Sequence, residues 1–301
     1  MKEVPLDPRN KIDEPRSEPL DLRGDTEDTR EVAMDPEGKD SFSEILGKLE
    51  KALEQENLED FLEERIEKLI NESEAKSLSR FSSEYGGFLH PESEIESNPL
   101  VRPFRISEES MKEISNIFSG ILQEIIDNID SNFRTLVLFA VQNTVNNYFE
   151  NLDQVDRNDS EKISRQKFYD DRSNQDYIDI NEFKGLGVSK CSEKAAVAQN
   201  LWSIFGADTE LIFSSNCEIS GSNADHLFNI VRTDNRVFIC DTENPPLHHV
   251  ANYSTPGVYP LSEEQVRDLK DGGSVEVQLR KDVENPPTIK YAFPDDYDGN
   301  L

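Results

Sequence analysis

From Ser41 to about Lys76 apolar positions recur at helical spacing. Phe42, Ile45, Leu46, Leu49 and Leu53 fall on one face, Glu56-Asn57 interrupts, and Leu58, Phe61, Leu62, Ile66, Leu69 and Ile70 resume the stripe. Two amphipathic helices joined by a short connection predict a helical hairpin over 41–76, its apolar faces packing on the rest of the protein or on a protein partner. Residues 77–104, rich in Ser, Gly, Pro and Glu, predict a linker or extended strap. A second helical period opens at Ser107, with Met111, Ile114, Ile117, Phe118, Ile121, Leu122, Ile125 and Ile126 in phase to about Ile129. Leu136 to Phe149 is apolar nearly all round, which predicts a buried helix. Residues 150–181 are polar and read as loop.

The last third changes period. A helix from about Cys191 to Phe205 stops at Gly206. Short β-rich runs follow at Glu210–Phe213, His226–Arg232, Arg236–Asp241, Ser274–Leu279 and Thr288–Phe293. Thr233-Asp234-Asn235 reads as the turn of a hairpin. Helices followed by one helix leading an antiparallel sheet is an α+β plan. No internal repeat is visible.

Residues 1–40 carry no aromatic residue, five prolines, thirteen acids and seven bases. Such a segment buries too little apolar area to offset ordering, and is expected to be a disordered acidic tail. The chain divides accordingly into tail (1–40), hairpin and linker (41–100) and a third region (101–301).

With 62 acidic and 32 basic residues the net charge is −30. Phosphate backbones and anionic lipid surfaces repel such a chain, which argues against nucleic-acid and membrane partners. No apolar run approaches the ~18–20 residues that span a bilayer. MKEVPLDPRNKIDEP lacks the apolar core of a secretory signal, so a cytoplasmic location is expected. Three cysteines (191, 217 and 240) are too few and too far apart for a disulfide framework or a zinc site.

Cys191 carries the chemistry. It follows Gly185-Leu186-Gly187-Val188-Ser189-Lys190 at the start of a helix, with Ser189 a reasonable N-cap. Unsatisfied backbone N–H groups and the positive helix end there favour thiolate, although Glu193 in the same turn opposes this. His226 begins a strand 35 residues on, and Asp241 ends the next strand 15 residues later. Pairing of those strands brings His226 and Asp241 to one end of the ladder. The carboxylate can then orient the imidazole, leaving the other ring nitrogen for the thiol.

These motifs resemble the transglutaminase-like superfamily, papain-related thiol enzymes with a Cys-His-Asp triad. The resemblance rests on the Gly-rich approach to Cys191, on Ala195 four residues later, and on His226-Leu227-Phe228-Asn229-Ile230-Val231 running to Phe238-Ile239-Cys240-Asp241. It covers roughly residues 183–245. Phe228 stands where the family frequently has Trp, and Thr242-Glu243-Asn244-Pro245 where it often has Pro-Thr-Trp. The resemblance implies a nucleophile helix packed on an antiparallel sheet. It also implies Cys191 as nucleophile, His226 as general base and acid, and Asp241 as orienter, with no cofactor and no calcium requirement.

The expected function is acyl transfer through a thioester on a protein or peptide amide. Hydrolysis by a protease or amidohydrolase is preferred, because an amine acceptor needs a second site and none is visible. A cross-linking transglutaminase, a glutamine deamidase and a non-catalytic scaffold are the alternatives. Gln175, Tyr169 and Asn181 are candidates for the second oxyanion donor. Cys240 should face the core, Cys217 falls in a polar Ser214–Asn223 loop, His248-His249 reads as ordinary loop, and His90 has no role. A hairpin or strap covering the groove is a further expectation.

Overall fold

The computed structural model describes residues 41–75, 104–129, 133–150, 165–172, 174–175, 178–189, 191–233, 236–243, 249–250, 253–254, 257–278, 288–295 and 297. All fall in one compact unit, Asp40–Leu301. The acidic tail, the 77–103 stretch, His90, His248 and the Asp234-Asn235 turn lie outside the described residues.

The architecture is α+β. Helix α1 (Phe42–Glu54) opens on a reciprocal cap, with Ser41 Oγ accepting from Glu44 N and Glu44 Oε2 accepting from Ser41 N. It buries Phe42, Ile45, Leu46, Leu49 and Ala52. The break expected at Glu56-Asn57 is present: Glu56 takes a left-handed φ of 57°, and Asn57 N–H closes back on Ala52 O. Helix α2 (Leu58–Ala75) follows. Strand β1 (Phe104–Arg105) leads into α3 (Glu108–Asn128), capped by Ser107, and then into α4 (Phe133–Glu150). From Leu136 to Val145 every residue of α4 is buried, as its all-round apolar sequence predicts.

The polar 150–181 stretch is more structured than its composition suggests. It holds α5 (Arg165–Asp171) and β2 (Ile178–Asp179), which pairs in parallel with β1 and runs into a 3₁₀ turn at Ile180–Phe183. Phe168 and Phe183 supply the reason, with ring centroids 4.7 Å apart and both side chains fully buried. Tyr169, Ile178 and Ile180 are buried with them, so a few apolar side chains anchor a segment that averages as loop.

Helix α6 (Cys191–Ile204) is buried from Ser192 to Trp202. It packs between α4 and α2 on one side and strands β3 (Asp208–Ile219) and β4 (Ser222–Thr233) on the other. Gly206, at a φ of 75°, ends it, with Ala207 N–H returning to Trp202 O. β5 (Arg236–Cys240), β8 (Val258–Leu261), β9 (Ser274–Gln278) and β10 (Thr288–Ala292) complete a six-stranded sheet. Its order is β8-β5-β4-β3-β10-β9, antiparallel throughout. β6 (His249–Val250) and β7 (Tyr253–Ser254) form a separate two-stranded ribbon, and α7 (Glu263–Lys270) connects β8 to β9.

One face of β4 and β5 meets α6, where Trp202 Nε1 lies 3.2 Å from Cys240 Sγ. The other carries Phe228, Ile230 and Ile239 into a second core with Leu269, Ile289 and Tyr291. The expected polar loop at 214–223 is instead the extended end of β3 and the start of β4, turning at Ser220-Gly221. Cys217 is therefore a fully buried member of this second core rather than a loop residue. β8 and α7, which the sequence reading did not pick out, close this side. No helix among the described residues is long and apolar enough to cross a membrane.

Candidate active site

Strand pairing places the first two groups. β4 and β5 register Asn229 against Cys240 and Thr233 against Arg236. Continued one step, the ladder sets Phe228 opposite Asp241, so His226 and Asp241 are diagonal neighbours on one face. Beside them β3 carries a bulge: Ser214 pairs with His226 and Cys217 with Ala224, leaving one extra residue on β3. Such a bulge bends the strand and increases its twist at the level of His226.

His226 Nε2 lies 2.7 Å from Asp241 Oδ2, and both side chains are almost wholly buried. A second donor, which the sequence reading missed, reaches the same oxygen: Tyr291 OH donates to Asp241 Oδ2 at 2.8 Å. The other carboxylate oxygen, Oδ1, accepts from Glu243 N–H at 3.0 Å. Three hydrogen bonds thus converge on one buried carboxylate.

Cys191 adds to the proton affinity of the His226 ring, so thiol and imidazole are electrostatic neighbours. Since Nε2 is taken by Asp241, the nitrogen left for the thiol is Nδ1. Burial alone pulls the pKa of His226 down, but the Asp241 carboxylate and then Cys191 outweigh it and hold the ring proton up to about 11. Burial pushes the Cys240 thiol up to about 12 and raises that of Cys217. Cys191 alone of the three is not buried.

Cys191 is the first residue of α6, so its backbone N–H belongs to the first turn, which has no intrahelical partners. The approach is set by Gly185 and Gly187, at φ of 66° and 65°. At Gly187 nothing lies within 4 Å of a built Cβ. Left-handed backbone, rather than close approach, is what requires glycine there. Gly185 N–H ties the loop to Phe149 O at 2.8 Å.

Among the oxyanion candidates, Tyr169 is buried and donates its hydroxyl to Glu193 Oε1 at 2.9 Å, so it steadies the first turn of α6. Gln175 and Asn181 are exposed. His249 sits on the β6 ribbon. Cys240 lies on the face opposite Asp241, against Trp202, as its strand position predicts.

The described contacts of the hairpin with α6 are at the helix end remote from Cys191. Phe42 of α1 meets Trp202 with ring centroids 6.4 Å apart, and Arg65 of α2 donates to Ile204 O at 2.8 Å. Both contacts are in the last turn of α6, about 17 and 20 Å along the axis from Cys191. Among the described residues no cluster of His, Cys, Asp and Glu is arranged to hold a metal ion. Neither the models of protein families nor the curated protein sequences give a match to this chain.

Proposed function

We propose that the protein is a cysteine-dependent acyl-transfer enzyme of transglutaminase-like type, acting on a protein or peptide amide and most readily as a hydrolase. The observation that carries this reading is the buried His226–Asp241 pair, 2.7 Å long, with the half-buried thiol at the start of α6 as an electrostatic neighbour of the imidazole. The raised proton affinity of His226 keeps an imidazolium available at neutral pH.

In the reaction the Cys191 sulfur attacks the amide carbonyl carbon, forming an S–C bond and moving the π electrons to oxygen. The Cys191 N–H at the start of α6 faces the developing oxyanion. His226 delivers its proton to the leaving nitrogen as the C–N bond breaks, leaving a thioester. Water then attacks the thioester and gives its proton to His226. The C–S bond breaks, releasing acid and thiolate. An amine in place of water gives a cross-link by the same steps.

The test is alkylation of Cys191 by iodoacetamide across pH, read by peptide mass spectrometry, with His226→Ala as control. An apparent midpoint well below the ~8.5 of an ordinary thiol, abolished by His226→Ala, supports the pair. A midpoint near ~8.5 in both proteins overturns it and leaves the scaffold reading.

A further inference from the structure

Asp241 stands just beyond β5, at the fraying end of the ladder to β8. A carboxylate that must meet an imidazole within a few tenths of an ångström needs some other constraint. It comes from α4. Gln142, 1% exposed, donates from Nε2 to Thr242 O at 3.2 Å and accepts at Oε1 from Gly257 N–H at 3.3 Å. Asp241 N–H in turn donates to Gly257 O at 2.7 Å. The amide orientation is fixed by its partners, because a backbone N–H can only donate and a carbonyl can only accept.

The segment leaving β5 and the Gly257 strand entry are thus stitched together through one side chain. No space remains for slippage, since a Cβ at residue 257 would stand 2.0 Å from Asp241 O and 3.1 Å from Gln142 Oε1. We propose that Gln142 is a positioning residue of the Cys191–His226–Asp241 site, setting the height of Asp241 under His226 by clamping Thr242 to Gly257. This rests on the triad reading above. Gln142 touches neither the thiol's reaction partner nor the imidazole; it acts through the backbone on either side of Asp241.

The experiment compares wild type, Gln142→Leu and Gln142→Glu in the full chain. Each is followed by Cys191 alkylation with iodoacetamide from acid to alkaline pH and by thermal unfolding. Gln142→Leu is expected to slow alkylation at acid pH about tenfold and to move the midpoint toward ~8.5, as the imidazole loses its orienting partner. Gln142→Glu retains shape and the acceptor for Gly257 but presents a carboxylate to Thr242 O. Its deficit is expected at neutral pH and should disappear on acidification, when the protonated carboxyl donates again. A purely structural role lowers the unfolding temperature and leaves the alkylation midpoint at its wild-type value, which overturns the proposal. If Gln142→Leu does not fold, the pH-dependent recovery of Gln142→Glu decides alone, its absence counting against the clamp. A wild-type midpoint near ~8.5 overturns the triad reading and this one together, whereas a low wild-type midpoint unchanged in the variants overturns only the role of Gln142.

Discussion

Tyr291 donates its hydroxyl to the same oxygen of Asp241 that holds His226, from a strand 50 residues further along the chain, at 2.8 Å. Burial raises the Tyr291 pKa well above its ordinary value, and the Asp241 charge adds to this, so the phenol keeps its proton as a donor. Its ring also packs on Phe228 at 5.1 Å and near His226 at 6.2 Å. The residue therefore serves both the second core and the carboxylate.

Tyr291→Phe separates those two duties. Ring packing survives and one charge-assisted hydrogen bond is lost, so stability should fall by about 1.5–3 kcal/mol in urea unfolding. The Cys191 alkylation midpoint should rise relative to wild type. An unchanged midpoint with lowered stability would assign Tyr291 to packing alone.

The His226–Asp241 pair links stability to pH. The folded-state pKa of His226 is raised, because Asp241 and Cys191 outweigh the opposing effect of burial. Its contribution is then fully present below the ordinary ~6.5 and is lost as pH rises toward the folded value of about 11. Asp241→Asn removes the partner. The stability gap between wild type and Asp241→Asn should be largest near pH 6, about 3 kcal/mol, and should narrow steadily towards pH 10. Urea melts at several pH values measure it, and a gap that widens with pH would refute the assignment.

Thiol reactivity should be selective. Cys217 and Cys240 are 0% and 1% exposed, with proton affinities raised by burial, whereas Cys191 is half-buried at a helix start. At pH 7 limited iodoacetamide is expected to label Cys191 at least about tenfold faster than either. Equal labelling of all three in the native protein would contradict the core placement of Cys217 and Cys240.

Gly257→Ala should be severe for a steric reason. Its Cβ would meet Asp241 O at 2.0 Å, backbone against backbone, and one of the two segments must move. The expected result is a loss of stability of about 1–3 kcal/mol together with loss of the low-pH reactivity of Cys191. Gly187→Ala is the counterpart. Open space surrounds that position, so only the left-handed φ of 65° is strained, and a cost of about 1 kcal/mol is expected. Thermal unfolding ranks the two.

Local pattern located most of the elements. The stripe of α1, the Glu56-Asn57 break, the buried α4 and the Gly206 stop all depend on neighbours within one or two turns. The 150–181 region reads as loop because its few apolar residues, Phe168-Tyr169, Ile178 and Ile180, follow no sustained helical or strand period, and only packing in space, with Phe183, makes them a core. Cys217 was assigned to a loop because Ser214 to Asn216 interrupts the apolar alternation. The bulge opposite His226 accounts for that interruption, absorbing an extra residue while the strand continues.

For the candidate site, the residue order Cys191, His226, Asp241 and the 15-residue interval of a hairpin were visible in the chain, because a thiol at a helix start and two paired strands are short-range arrangements. The groups that hold Asp241 were not. Tyr291 is 50 residues from it, Gln142 is 100 from Thr242 and 115 from Gly257. Hydrogen bonds over such separations leave no periodic trace, and nothing in the local sequence of α4 distinguishes Gln142 from the polar residues around it. Sequence alone determined which side chains could do chemistry; the packing of α4, β8 and β10 around the end of β5 decided where the carboxylate stands.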